Sequence, residues 1–286
     1  MIKFVIIIDK SIESEFAISY YAHIETALQR QKDTYKASGV NIEYEIIQQD
    51  LSTAPWIGDQ VSYSWLGEQT RQIKPNTAYS VVYVFAGDNW KPQHIGGWHM
   101  GNYNGYQVQL IRSNQSTEWL YRTFLMESMH SFDSVIRDKL GIDLSQWLRD
   151  EVAKKYREDY GIVHDLPEKY ITGDYDEFWV HGMYSQGTTL DQEVAKLLFG
   201  EEYIKYDYSL LIKKIAPLLN RIFTMYKHII FGKEQYIRNS IGVDYHIANS
   251  KTLKGLKEAD IISLEPPLIV NEINDSGLDF LCFEKE

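Results

Sequence analysis

Cysteine is almost absent from this sequence, since Cys282 is the only one among 286 residues. A single thiol excludes an internal disulfide framework and any zinc site built from several thiolates. The sequence therefore predicts either a reducing environment or a particle that is stabilised by assembly.

Basic residues are too few for a nucleic-acid protein. The chain has 29 Lys and Arg against 40 Asp and Glu, which gives a net charge of −11. Nucleic acids and anionic membranes both require a basic face, so neither is expected as the main partner.

Long apolar runs and two common signature motifs are also missing. No run approaches the length of a membrane span, and the short apolar run in MIKFVIIIDK ends in a charge, which predicts a strand rather than a signal peptide. The phosphate loop G-x-x-x-x-G-K-[ST] and the nucleophile motif G-x-S-x-G do not occur. We expect a soluble protein that is cytoplasmic or virion-associated.

The first half of the chain has the pattern of a mixed sheet backed by helices. Strands are predicted at 3–9, 41–50 and 79–87, and a helix at 11–39. Residues 51–67 and the glycine-rich residues 94–105 are predicted as loops, and YQVQLIR at 106–112 as the edge strand of the sheet. A buried helix, capped by Ser116 or Thr117, then carries apolar residues over more than half its circumference.

The second half is predicted to be mainly helical and to end in a small module. Helices are expected near 145–159, at 190–198 and at 207–230, where Pro217 interrupts the last one. A β-hairpin turning near 239–242 and a short helix at 250–262 follow. The sequence thus predicts an α+β protein with a main domain at 1–230 and a small C-terminal module and tail at 231–286.

The buried helix contains the five residues MESMH, from Met126 to His130. One substitution would turn them into H-E-S-M-H, which has the H-E-x-x-H spacing of a zinc peptidase. In that motif two histidines one helical turn apart bind zinc, and the glutamate between them polarises the bound water.

The order of sheet, edge strand and buried helix resembles a zincin-type metallopeptidase domain over roughly residues 1–200. The resemblance implies that Glu127 is the catalytic base and that His130 is a metal ligand. His164, followed by Asp165, is the best candidate for a further zinc ligand, and His181 is the next. Met126 takes the place of the first histidine, and a thioether binds zinc poorly.

Three interpretations of the motif follow. Glu127 and His130 could be structural partners in a buried helix, because an E-x-x-H spacing arises easily by chance. A degenerate zincin would keep the fold and act in binding or assembly through a protein or peptide partner, for example in a phage or bacterial particle. An active metal-dependent hydrolase would use Glu127 as its base. His94 and His99 have a spacing that permits a metal, although a tight turn is the simpler interpretation.

Overall fold

The structure is a computed structural model that describes most of the chain. The described residues are 2–12, 19–73, 79–92, 94–161, 165–172, 175, 192–200, 208–224, 227–238, 244–247, 250–258, 262, 267–270, 273 and 275–279. The chain divides into two compact units, a larger one formed by residues 2–72 and 78–219 and a smaller one by 73–77 and 220–286.

The fold class is α+β, as predicted, and the larger unit is built on a mixed five-stranded sheet. Its strands, in chain order, are β1 (Ile2–Asp9), β2 (Ile42–Gln49), β5 (Ser80–Phe85), β6 (Gly97–Tyr103) and β7 (Tyr106–Arg112). They lie in the order β2-β1-β5-β7-β6, and all neighbours are parallel except β6 and β7. β5 and nearly all of β1 are buried, as expected for inner strands with continuous apolar runs.

Helices lie between β1 and β2 and between β2 and β5, and more of them follow β7. Through residue 224 they are α1 (Ser19–Ala37), α2 (Tyr63–Arg71), α3 (Thr117–Leu140), α4 (Leu144–Tyr160), α5 (Glu168–Thr172), α6 (Gln192–Phe199) and α7 (Tyr208–Thr224). The predicted buried helix is α3. The Ser116 hydroxyl caps it by accepting the Trp119 N–H at 3.3 Å, and Gly141 ends it in a left-handed conformation with φ 66°.

Three local predictions are wrong. Residues 94–105 contain β6, which is the edge strand, whereas the predicted edge strand at 106–112 is β7 and lies inside the sheet. The predicted loop at 51–67 contains a small hairpin of β3 (Trp56–Ile57) and β4 (Gln60–Val61) and the start of α2. The predicted helix at 207–230 ends at Thr224.

A buried polar network joins α1 to α3. The Gln31 side-chain amide donates to the Phe124 carbonyl at 2.9 Å and to the Ser128 hydroxyl at 3.0 Å. Its oxygen accepts the Tyr44 hydroxyl at 2.6 Å. Because every polar atom of the Gln31 amide has a partner, the network fixes how α1 lies on α3 without an unsatisfied buried group.

A second network closes the carboxyl end of β1. The buried Asp9 carboxylate accepts the N–H of Ser11 at 3.1 Å, that of Leu51 at 3.4 Å and that of Ala86 at 3.3 Å. It also accepts the Asn89 amide at 2.7 Å. These hydrogen bonds connect the ends of neighbouring strands, so the Asp9 carboxylate has a structural role.

The smaller unit contains a second sheet, ordered β11-β8-β9-β10-β12. Its elements are β8 (Lys227–Phe231), β9 (Glu234–Arg238), β10 (Asp244–His246), α8 (Ser250–Glu258), β11 (Leu268–Ile269) and β12 (Asp275–Asp279). The predicted hairpin strands pair as β9 and β10, while their turn lies outside the described residues. Within the described part of the chain, no helix is long and apolar enough to cross a membrane.

Candidate functional site

The MESMH residues lie where α3 meets the edge strand β6. Glu127 and Thr123 are one helical turn apart and face Gly97 at the start of β6. Met126 and His130 have the same spacing, and both are half-buried. The helix thus brings a buried carboxyl group to its contact with β6, with two more accessible side chains nearby on the same helix, and this junction of α3 and β6 is termed the cleft.

Gly97 allows the strand to lie directly against the helix. A β-carbon at this position would be 2.5 Å from Thr123 Cγ2 and 2.8 Å from Glu127 Oε1. Both distances are shorter than real β-carbon contacts, so a larger residue would require β6 or α3 to move. Glycine is needed here for close approach of the backbone.

Glu127 is an acid in an apolar setting. Its residue is only 5% exposed, and its carboxyl group accepts the backbone N–H of His99. Burial raises the pKa of Glu127 to about 8, and the hydrogen bond from His99 opposes this effect only in part. The carboxyl group is therefore mostly protonated at pH 7.

His99 brings a second imidazole to the cleft. Its ring lies nearly parallel to that of His130, with 6.0 Å between the ring centroids and 9° between the planes. His99 Nε2 is 2.9 Å from Gln107 Oε1 on β7. Burial lowers the pKa of His99, so its ring is neutral at pH 7.

Polar side chains of the sheet support this side of α3. The Gln109 amide donates to Ser80 Oγ at 3.0 Å and to Ser131 Oγ at 2.9 Å. Ser131 in turn donates to the Glu127 carbonyl at 3.1 Å. These bonds hold the turn of α3 that carries Glu127 and His130 at a fixed position over β5 and β7.

The backbone of β6 also presents polar groups at the cleft. The Arg112 N–H donates to the Gly96 carbonyl at 2.9 Å. Bonding alternates along antiparallel strands, so the peptide groups of Gly97 and His99 point away from β7. Glu127 accepts one of these outward N–H groups, which places its carboxyl at the open edge of the sheet.

The sequence-predicted site residues are only partly brought together. Glu127 and His130 share the cleft face of α3, whereas His164 and His181 lie outside the described residues. The exposed His94 precedes β6 and is not among the residues that form the cleft. In the described ranges, no three His, Cys, Asp or Glu side chains are grouped to hold a metal ion.

Because sequence reasoning treated β6 as a loop, it considered His99 only for its spacing from His94. It missed the hydrogen bond of His99 to Gln107 and the close contact of Gly97 with α3. A signal for the strand was present in Asn104-Gly105, a pair typical of two-residue hairpin turns. Both residues have positive φ, 52° for Asn104 and 89° for Gly105. A hairpin at this pair would have predicted β6 and β7 together and placed His99 in a strand.

Comparison of the chain with family models and with curated proteins gives no match.

Proposed function

We propose that this protein is a zincin-related domain with a degenerate metal centre, which binds an extended peptide or protein segment along β6 without cleaving it. The observation that carries the proposal is the position of Glu127. Its carboxyl group lies at the open edge of an antiparallel edge strand, while Met126 replaces the histidine that a zinc centre needs.

The arrangement of elements supports the relation to zincins. The resemblance implies an edge strand beside the cleft and a buried helix that carries the motif. Here β6 is the antiparallel edge strand and β7 leads from it to α3. α3 packs against β6 through Thr123 and Glu127.

The open edge of β6 supports peptide binding. Gly97 and His99 direct peptide groups outward, although the His99 N–H is donated to Glu127, and among the described strands none pairs with this edge. An extended peptide can add to such an edge through main-chain hydrogen bonds, with pockets for alternate side chains giving selectivity.

The chemistry of the motif argues against retained zinc catalysis. Met126 offers a neutral thioether, which is a poor zinc ligand. Without a metal ion, Glu127 is mostly protonated at pH 7, so only a minor fraction of the protein could accept a proton from water at that pH. Binding without hydrolysis is the function that fits both residues.

Peptide selection followed by NMR tests the binding mode. Peptides would be selected by phage display on the immobilised full chain and titrated into ¹⁵N-labelled protein. We expect amide shifts at 97–101 and on the Met126–His130 turn, and intact peptide by mass spectrometry. The other sheet edge, β2, is the internal control. Shifts confined to β2, or cleavage of the peptide, would contradict the proposal.

A second candidate is an active metal-dependent hydrolase with Glu127 as general base. The observation that favours it is the pKa of about 8, because a base works best with a pKa near the operating pH. Metal analysis decides between the two. Zinc that survives dialysis and is lost in His130→Ala would support the hydrolase, as would peptide cleavage that is abolished in Glu127→Gln.

A role in a phage or bacterial particle would be one form of such binding, and it stays a prediction. Its direct test is whether the chain co-purifies with assembled particles.

A further inference from the structure

Strand β2 leaves one whole edge of the main sheet open. Among the described strands its sole neighbour is β1, with which it pairs without a bulge from Ile42 to Gln49. Sheet edges that stay free are usually blunted by bulges, prolines or lysines, and β2 has none of these. β6, at the other end of the sheet, has a shift in register between His99 and Gly101. From this open and regular edge we propose that β2 pairs antiparallel with β2 of a second copy of this chain, with Ile46 on the two-fold axis.

The peptide groups of β2 alternate in direction. The Asn41 carbonyl accepts the Ile2 N–H at 2.9 Å, and the Gln49 carbonyl accepts the Lys10 N–H at 2.9 Å. The N–H and C=O of one residue lie on the same side of a strand and successive residues alternate, so the odd-numbered residues of β2 face β1. Even-numbered residues, Ile46 among them, therefore direct their peptide groups to the open edge. This is the arrangement that an added antiparallel strand requires.

Two isoleucines of β2 are exposed although they belong to a sheet. Ile46 is 40% exposed and Ile47 is 39% exposed, and as successive residues they lie on opposite faces. Directly opposed side chains of an antiparallel pair have their β-carbons about 5 Å apart. Pairing centred on Ile46 sets this side chain against its own copy and Ile47 against Glu45 of the second copy. Both faces of the edge then bury apolar surface, which favours association.

Charge selects this register over the alternatives. Opposed residues of a two-fold strand pair lie on one face, so the axis passes through a residue that meets its own copy. Centring on Glu45 or on Ile46 gives the longest overlap of β2, but the first places like charges directly opposite each other, which is destabilising. With Ile46 at the centre, Glu43 lies opposite Gln49. Lys3 Nζ on β1 is 2.5 Å from Glu45 Oε2 and compensates the charge of that carboxylate.

Sedimentation of the full chain over a wide range of protein concentration tests the dimer. We expect reversible association of the wild type to a mass of two chains. Ile46→Lys and Ile46→Glu each place like charges at the axis and should weaken dimerisation by at least about tenfold. Because opposite charges meet when the two variants are mixed, equal amounts of both should form a dimer that neither forms alone.

Amide hydrogen exchange in the wild type tests the same register without a substitution. The Ile46 N–H is hydrogen-bonded in the dimer and points to the open edge in the monomer. Its exchange should slow as protein concentration rises, while that of Gly97 on β6 should not change. This inference does not depend on peptide binding, because β2 and β6 are opposite edges of the sheet.

Ile57→Lys is the matched control, since Ile57 is 75% exposed and lies on β3, outside the main sheet. It should dimerise like the wild type. Circular dichroism should show every variant folded, because no buried residue is changed. A monomeric wild type would overturn the inference and leave β2 to a different partner. A dimer that survives both Ile46 variants, a mixture that stays monomeric, or Ile46 exchange that is independent of concentration would overturn it as well.

Discussion

Glu127→Gln should remove a pH dependence of stability that the native residue creates. The pKa of Glu127 is about 8 in the folded protein and 4.5 in an ordinary setting. A raised folded pKa means that the folded state holds the proton more tightly than the unfolded chain. The stabilisation is therefore complete below pH 4.5 and is lost as the pH rises through about 8.

The magnitude follows from these two values. Between pH 4.5 and 8 the unfolded chain has released the proton while the folded protein keeps it. The free energy of unfolding then falls by about 1.4 kcal/mol per pH unit for this one group. From pH 4.5 to 7 the loss is roughly 3 kcal/mol, a large part of the 5–15 kcal/mol by which most domains are stable.

Glutamine imitates the protonated acid at every pH. It keeps an oxygen that can accept the His99 N–H and has nearly the same volume. We expect Glu127→Gln to match the wild type near pH 4.5 and to be more stable by roughly 3 kcal/mol at pH 7. Urea unfolding of both proteins at a series of pH values, with a chelator present, measures the difference.

Glu118→Gln, on the same helix, is a control in which the pH dependence of stability should have the opposite sign. Arg30, which forms a 2.8 Å ion pair with Glu118, lowers the pKa of that carboxyl group, and so does Arg122. Its contribution is therefore present above the ordinary pKa and lost as the pH falls. If plots of unfolding free energy against pH stay parallel for Glu127→Gln and the wild type from pH 4.5 to 8, the pKa of Glu127 is not raised by burial. That result would refute the reasoning.

Three further variants test the motif and the two buried networks. Met126→His restores H-E-x-x-H and should bind zinc that survives dialysis; a metal-free protein would mean that α3 lacks zincin geometry. Gln31→Leu leaves the Tyr44 hydroxyl without its acceptor and should cost roughly 1–3 kcal/mol in urea unfolding, whereas an unchanged midpoint would show that water replaces it. Asp9→Asn turns an acceptor of the Asn89 amide into a donor and should lower the melting temperature. An unchanged melting temperature would show that the Asp9 carboxylate does not stabilise the strand ends.

Much of the α+β fold could be predicted because its elements carry their own signals. β1 and β5 are continuous β-branched and aromatic runs, and α3 has a cap, a glycine stop and a wide apolar face. These local preferences agree with the tertiary structure, so each of these three elements could be predicted without considering its neighbours.

The edge strand β6 could not be predicted from strand propensity. Its small and polar residues allow β6 to lie close to α3 but do not favour a strand. β6 contains Gly97, Gly101 and Asn102, residues that are depleted in strands. Its pairing with β7 and its packing on α3 override that preference. For the same reason sequence reasoning related His99 only to His94, and the position of His99 beside Glu127 and His130 of α3 became evident only with β6 defined as a strand.

Gly97 sets how closely β6 can approach α3. In Gly97→Ala the new methyl would lie 2.5 Å from Thr123 Cγ2 and 2.8 Å from Glu127 Oε1. β6 must then move away from α3, at a cost of roughly 1–3 kcal/mol, and His99 moves away from His130 with it. We expect a lower urea midpoint.

Gly67→Ala is the matched control, since nothing lies within 4 Å of the added carbon in α2. Alanine is the better helix residue, so this variant should be more stable by up to about 1 kcal/mol. Equal stability changes in the two alanine variants would mean that contact at Gly97 does not hold the strand on the helix.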